Sequence, residues 1–492
     1  MRYNKCMLNK GIFPSKWKGA KIVPIPKANP LKSLSDLRPI SLTPAPGKIL
    51  EKIIAKELSK QTQSKLDTCQ FGNTKGSSAV HYLIKLTNKA YASAEQGNAT
   101  IAVTIDYSKA FDYIDHTLLV KKLIKLGVSA KIVNLLISFL TNRSHCTKIG
   151  DETSSYKSIS CGVPQGTING PKLFVIMING DTDNEIINLK FVDDKTIALN
   201  HSGDPTKVLQ ERLNTIEKEA KENSMCINAK KCHVITFNFS SANVSPHCLK
   251  LDNNIIQREK TIKLLGVTIS DDLKWTQNTF NVCKKVNSLL FILSKLRSFD
   301  APRDDLVKVW TTILRPCAEY ASPLWHSGIT KSDSQKLEML QKSALSIILG
   351  ISYIDYKRYY KLDNDLVSYE NSLQALKLES LQQRREGLSI KFATKLLKSK
   401  SHRDMLPIEK QGTTTRNRLI IPITSSETEK EIIVLKEPKP GTTRYNNSAV
   451  PYMTRIINRL KISRPKYKCT VPVKLGYIVH QFCKHLIIRN FK

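Results

Sequence analysis

The run "NLKFVDDKTIAL" at residues 188–199 limits the fold more than any other stretch of this chain. Ile187, Leu189 and Phe191 alternate with polar residues, Asp193 and Asp194 follow side by side, and the apolar pattern resumes at Ile197. Alternation is the pattern of a half-buried strand, and two adjacent carboxylates cannot carry it into a core. The chain must turn at the acids, which predicts a tight hairpin with both at its tip. Upstream, "ATIAVTID" alternates as well: Ile101, Val103 and Ile105 share one face of a strand, and Ala102, Thr104 and Asp106 share the other. Taken singly, each acidic site reads as an ordinary exposed turn. With the strand beside the hairpin, three carboxylates would converge in one small volume.

Such a cluster carries a cost that dictates its chemistry. Two like charges about 4 Å apart repel by roughly 4 kcal/mol at an effective dielectric of about 20, so the group must take up protons or cations. Hard oxygen ligands with open positions suit Mg²⁺, with Mn²⁺ as a substitute. Two such ions about 4 Å apart can activate an attacking hydroxyl and stabilise the leaving oxygen of an in-line phosphoryl displacement. Net charge indicates the other reactant: 77 Lys and Arg against 42 Asp and Glu leave +35, enough to attract a polyanion over a broad surface. Together these features point to nucleotidyl transfer or nucleic-acid hydrolysis.

The eleven cysteines are odd in number and scattered, with no Cys-x-x-Cys pair, which argues against a disulfide framework or a zinc site. The N-terminus "MRYNKCMLNKG" has no apolar core like that of a signal peptide. The longest apolar runs, such as "LFVIMI" and "SLLFIL", fall short of the roughly 18 residues of a membrane span. A protein of the cell interior, nuclear or cytoplasmic and not secreted, is therefore predicted, with no membrane partner.

Along the chain, "WKGAKIVPIPKANPLKSLSDLRPISL" predicts a β-hairpin with a basic, Pro-punctuated tip. Ile49, Leu50, Ile53, Ile54 and Leu58 fall at helical spacing. "SKAFDYIDHTLLVKKLIKLG" and "SAKIVNLLISFL" read as amphipathic helices, the first stopped by Gly127. Beyond about residue 270 helices dominate. There "SDSQKLEMLQKSALSIILG" offers a capping box, Ser332 with Gln335, and a closing Gly350. Residues 381–492 hold 24 Lys and Arg against 7 Asp and Glu, so this tail is either a nucleic-acid contact region or a solvated basic face.

The order of the blocks is more specific than any one of them. "TIDYSKAFDYIDH", "GVPQGTINGPKLF", "KFVDDKTIAL", "CINAKKCHVITF" and "KLLGVTISDDLKW" follow one another in a series that resembles the palm motifs of reverse transcriptases. The wording is similar to that of jockey-like, non-LTR (LINE-type) retrotransposon polymerases. "KIVPIPKANPLKSLSDLRPISL" and "QFGNTKGSSAV" resemble the fingers elements of that family. More loosely, "KLEMLQKSALSIILG" and "TTRYNNSAVPYMTRIINRL" resemble its thumb helix and terminal segment.

The resemblance implies an α+β right-hand polymerase: fingers over residues 1–100 and part of 116–160, an antiparallel-sheet palm over 101–270, a helical thumb over 271–350, and a basic C-terminal extension over 351–492. It implies an enzyme that joins dNTPs to a DNA primer on an RNA template with two Mg²⁺. Asp106 and Asp193 would bind the metals, Asp194 would complete the acidic cluster, and the Tyr107 backbone carbonyl would be a further ligand. Phe111 falls where the family places an aromatic under the sugar, where a ring leaves no room for a 2′-hydroxyl; by periodicity alone it reads as a core aromatic. Gln165 and Gly166 fall where the family's loop meets the incoming nucleotide, the glycine permitting close backbone approach. Lys27 and Arg38 are expected at the triphosphate, where Arg offers a bidentate fork. Lys231 matches the lysine that protonates the leaving pyrophosphate, with Lys230 as the alternative, and Gly266 falls in the primer-grip strand.

Asn73-Thr74 and Ile168-Asn169 depart from the family pattern, the first removing a template contact and the second placing a polar residue near the start of a buried helix. About ten residues precede the first fingers block, so an element product without the family's endonuclease portion is expected. The competing class is a decayed polymerase that binds nucleic acid without turnover.

Overall fold

The computed structural model describes residues 7–8, 10–27, 30–31, 33–180, 186–201, 205–239, 248–351, 369–407, 421–423, 431–433, 435–436 and 440–462. The strands that position the site are, in chain order, β1 (Gly19–Pro26), β2 (Leu37–Leu42), β3 (Ala99–Ile105), β4 (Arg143–Ile149), β5 (Ile187–Phe191), β6 (Asp194–His201), β7 (His233–Phe237), β8 (Gln257–Arg258), β9 (Thr261–Leu264) and β10 (Val267–Ser270). The principal helices are α1 (Ala45–Thr62), α2 (Ala79–Glu95), α3 (His116–Lys125), α4 (Ala130–Leu140), α5 (Gly170–Met177), α6 (Thr206–Glu222), α7 (Thr276–Ser298), α8 (Lys331–Leu349), α9 (Leu381–Lys398) and α10 (Ala449–Ile462).

The alternation in "ATIAVTID" becomes the middle of a five-stranded sheet in the order β8-β7-β3-β6-β5. Val103 lies opposite Ile197 of β6 on one side and Val234 of β7 on the other. All pairs are antiparallel except the short β8 edge, which runs parallel to β7. The two faces of β3 feed two different cores. Ile101, Val103 and Ile105 pack with Leu209, Leu213 and Ile216 of α6, while Ala102 joins Ala198, Ile235 and the buried side of α2. Both faces are thus covered along most of the strand, and only its acidic end is left open.

β1 and β2 form the expected basic hairpin, with Ile25 opposite Arg38, and β4 joins β1 in parallel. Pro24 and Pro26 lie past the residues of β1 that pair with β4, so neither costs that strand pair a hydrogen bond. A separate core of α1, α3, α4 and α5, including Leu50, Leu119, Leu136 and Phe174, lies under this region.

Two boundaries differ from expectation. The helix predicted over "SKAFDYIDHTLLVKKLIKLG" begins only at His116, because Asp115 caps it by accepting a hydrogen bond from the Leu118 N–H at 2.9 Å. The cap predicted at Ser332 sits two residues earlier: Thr330 Oγ1 accepts from the Asp333 N–H at 3.0 Å. Gly350 closes α8 in the left-handed region, at φ +75°.

The division expected at residue 350 does not separate two cores. Leu381, Ala393 and Leu396 of α9 and Met453 of α10 lie in one cluster with Leu337 and Leu340 of α8 and with Ile235 and Phe237 of β7. The last thirty residues of the basic tail lie outside the described residues. All eight cysteines among the described residues are free thiols, and no helix there is long and apolar enough to cross a membrane.

Candidate active site

β5 and β6 pair up to Phe191 opposite Asp194, so the expected hairpin forms but its two-residue turn is Val192 and Asp193; Asp194, expected at the tip, opens β6, because the ladder closes one residue earlier than the acidic pair alone suggests. β3 pairs with β6 as far as Ile105 opposite Lys195. Asp106 and Asp194, the next residue on each strand, therefore lie at the same level. Side-chain alternation puts Asp106 and Asp194 on one face and Lys195 on the other.

The carboxylates perturb one another. Burial pushes Asp194 up to about 6, and the charges of Asp193 and Asp106 add to the effect. Asp106 is also raised by burial and by Asp193, against the opposing pull of Lys231. Asp193 is raised by burial and held back by the positive charge of Arg38. Lys231 Nζ lies 3.7 Å from the Asp106 carboxylate; of the two lysines left open by the sequence, it is the one that pairs there. Lys27 also acts electrostatically on Asp106, so the β1–β2 hairpin sets one cation toward each of two carboxylates.

Tyr107 pairs with Ile227, and the neighbouring Asn228 N–H donates to the Asp106 carbonyl at 2.8 Å. In an antiparallel ladder hydrogen-bonded and open pairs alternate, so the Tyr107 carbonyl turns away from residue 227 and is available to a ligand. Its ring is half-buried on the lysine side of the sheet, beside a cavity of about 30 Å³ that Lys190, Lys195 and Glu219 also line.

The "PQG" loop docks on β2. The Gln165 carbonyl accepts from the Ser41 N–H at 2.7 Å, and its side chain donates to Asp112 Oδ1 at 3.1 Å. Gly166 has φ +99°, and a Cβ there would stand 3.1 Å from the Ser41 carbonyl oxygen. Phe111 is half-buried and stacked on Phe174, with ring centroids 5.0 Å apart, as its periodicity suggested. Gly266 lies in the turn joining β9 and β10, where the Tyr320 hydroxyl from the helical region donates to the Leu265 carbonyl at 2.8 Å. Asn169, the polar departure in "PQGTING", is fully buried, and neither end of its amide has a hydrogen-bond partner.

Residues that sequence reasoning missed lie behind the turn. Lys190 and Asp67 form an ion pair at 2.8 Å with both side chains 2% exposed. Lys195 is buried as well, its ammonium pulled down to about 8 by burial against the opposing charges of Glu219 and Asp67. In the sequence these lysines look like solvated charges; their alternation with the apolar residues of the hairpin was the available signal.

Among the described residues no group of three or more His, Cys, Asp or Glu side chains is arranged to hold a metal ion. The donor set nevertheless fits a hard divalent cation: it is all oxygen, and its carboxylates are raised by burial and, at Asp106 and Asp194, by neighbouring carboxylates. One consequence is measurable without activity. A carboxyl whose folded pKa exceeds its unfolded value binds its proton more tightly when folded, so Asp194's own contribution to the stability of the metal-free fold is smaller above pH 6 than near pH 4. Asp194→Asn in EDTA is expected to raise stability at pH 7.5 by about 1–2 kcal/mol, after discounting for partial exposure. The gain should close as pH falls through 6 to 4; equal or lower stability at pH 7.5 in thermal melts would contradict the cluster.

Residues 25–269 match the family model described as "Reverse transcriptase (RNA-dependent DNA polymerase)". The chain is 28% identical over 382 residues to the RNA-directed DNA polymerase from mobile element jockey of Drosophila melanogaster, covering 73% of this chain and 40% of that relative. It is 26% identical over 390 residues to the probable RNA-directed DNA polymerase from transposon BS of Drosophila melanogaster, covering 74% and 41%. The chain thus spans about two fifths of the length of these curated relatives. A telomerase structure from Candida tropicalis aligns over 78% of this chain and 67% of its own at 12% identity, with a TM-score of 0.42, a level that adds nothing to the fold described above. Every candidate residue from Lys27 to Gly266 lies inside the matched span, and the chain carries a reverse transcriptase domain over residues 25–269.

Proposed function

We propose that this chain is an RNA-directed DNA polymerase of a non-LTR retrotransposon, which adds dNTPs to the 3′-hydroxyl of a DNA primer on an RNA template and releases pyrophosphate. One observation carries the reading: the ends of β3 and β6 and the turn between β5 and β6 set Asp106, Asp193 and Asp194 within reach of one another's charge. Bound Mg²⁺ or Mn²⁺ would neutralise that charge, activate the primer hydroxyl and stabilise the leaving oxygen. Asp106, Asp193 and the Tyr107 carbonyl would hold the ions, with Asp194 completing the field. Lys27 and Arg38 would grip the triphosphate, Arg38 through its planar fork. Lys231 Nζ would give its proton to the departing pyrophosphate. Gln165 and Gly166 would meet the nucleotide, and Gly266 the primer. The +35 charge supports a nucleic-acid partner, whose binding should weaken steeply with salt as counterions are released.

The test is primer extension by purified protein in Mg²⁺ on RNA and DNA templates; folded protein that extends neither would overturn the reading. Phe111 offers a second measurement. If its ring excludes the 2′-hydroxyl, Phe111→Ala should raise the rNTP-to-dNTP ratio of kcat/KM by about tenfold or more. An unchanged ratio would leave Phe111 as a core residue only, since lost packing against Phe174 would affect both substrates alike.

A further inference from the structure

We infer that Gln70 is a positioning residue that sets the turn carrying Asp193, an inference that rests on the polymerase reading above. The segment 67–72 meets β5 at one parallel bridge, Gln70 opposite Lys190, and holds Lys190 by three bonds. Asp67 takes the Lys190 ammonium at 2.8 Å. The Lys190 N–H donates to the Cys69 carbonyl at 2.9 Å, and the Phe71 N–H donates to the Lys190 carbonyl at 2.8 Å. Backbone pairing ends there because the partner strand enters its turn, and a side chain takes over. Gln70 Oε1 accepts from the Val192 N–H at 3.1 Å and from the Gly72 N–H at 2.8 Å.

Three further features make this contact more than fold support. Val192 has φ +58°, a conformation that is a genuine outlier for a β-branched residue and persists only where the surroundings impose it. Gly72 is pressed against the same peptide: a Cβ there would lie 2.5 Å from the Val192 nitrogen. Gln70 is 3% exposed, yet its Nε2 meets no partner among the described residues, so there the two N–H donors alone account for the polar contacts of its side chain and fix which end of the amide faces them. Gln70 and Gly72 together clamp the first residue of a two-residue turn whose second residue is Asp193. Without the Oε1 acceptor, the cheapest response is for Val192 to relax toward negative φ, which swings Asp193 while the sheet stays paired.

The experiment is single-nucleotide extension under pre-steady-state conditions, with active sites titrated so that only folded enzyme counts. Gln70→Leu is expected to lower kcat by roughly 10- to 100-fold, the scale set by displacing a catalytic group by about 1 Å, with the dNTP KM within about twofold of wild type. Val192→Gly, added to Gln70→Leu, is expected to recover about tenfold, because glycine adopts positive φ without strain. A merely structural role would lower the titrated fraction and the melting temperature without a kcat-against-KM split and without rescue. If Gln70→Leu gives no cooperative melt, Gln70→Met, which keeps the side-chain length, takes its place in the same comparison. Wild-type kcat in the Gln70 variant, or a loss that Val192→Gly does not rescue, overturns the inference and leaves the polymerase reading standing. A folded wild-type protein inactive on both templates overturns both.

Discussion

Replacing Asp193 by alanine is expected to lower the primer-extension rate by about a thousandfold or more, a loss of roughly 4 kcal/mol of transition-state stabilisation. Asp193 sits in a turn, outside the paired ladder, so its removal deletes no sheet hydrogen bond. The same change removes one of the charges that raise Asp194, which makes the metal-free fold more stable if it has any effect. Binding of an RNA–DNA duplex should survive, because phosphate contacts on a chain of charge +35 carry that affinity. Activity and binding therefore separate in one pair of measurements: extension in Mg²⁺, and affinity across a salt series. Undiminished extension by the variant would remove Asp193 from the site; parallel loss of both quantities would point to misfolding.

The second large effect lies behind the site. Lys190→Met is expected to destabilise the fold by about 3 kcal/mol, because it leaves the buried Asp67 carboxylate without its 2.8 Å partner. Asp67 also accepts the Cys69 N–H at 2.7 Å, which keeps it anchored where it cannot escape to water. Lys195, opposite Lys190 in the register, feels the same carboxylate and holds the cost to the lower end of the range for a broken buried pair. Removing both charges, as Lys190→Met with Asp67→Leu, should restore most of the stability, since a buried ion pair and an apolar pair of similar volume are often close in free energy. Urea unfolding of the two variants decides it: a single variant as stable as wild type, or a double variant worse than the single, would show that the pair does not act as a unit.

How much of this was legible differs from residue to residue. The hairpin at Asp193 and the strand ending at Asp106 were readable because alternation is a local property: each residue's parity fixes its face before any partner is known. The two cores on opposite faces of β3 follow that parity. The start of α3 was misplaced because Asp115, a capping residue, interrupts a run whose apolar spacing alone continues. Lys190 and Lys195 were not read as buried charges: their place in the alternation of the hairpin was a hint, but parity does not say whether a lysine snorkels to water or meets Asp67 or Glu219 across a sheet. Gln70 was missed for the same reason: its two acceptor contacts depend on how segment 67–72 meets β5.

The sequence by itself determined which residues carry negative charge, that an acidic pair falls at a hairpin and a third acid at a strand end, and the ordered blocks that resemble those of reverse transcriptases; that only Asp193 lies in the turn and Asp194 opens β6 was left to the register of the ladder. Tertiary structure decided the rest: that Lys231 pairs with Asp106, that Lys27 and Arg38 act on different carboxylates, and that helices α9 and α10 close the same core as α8 and β7. The physical reason is range. Periodicity and turn chemistry act over a few neighbouring residues, whereas charge pairing, desolvation and the support of a strained turn depend on segments that only folding brings within a few ångströms.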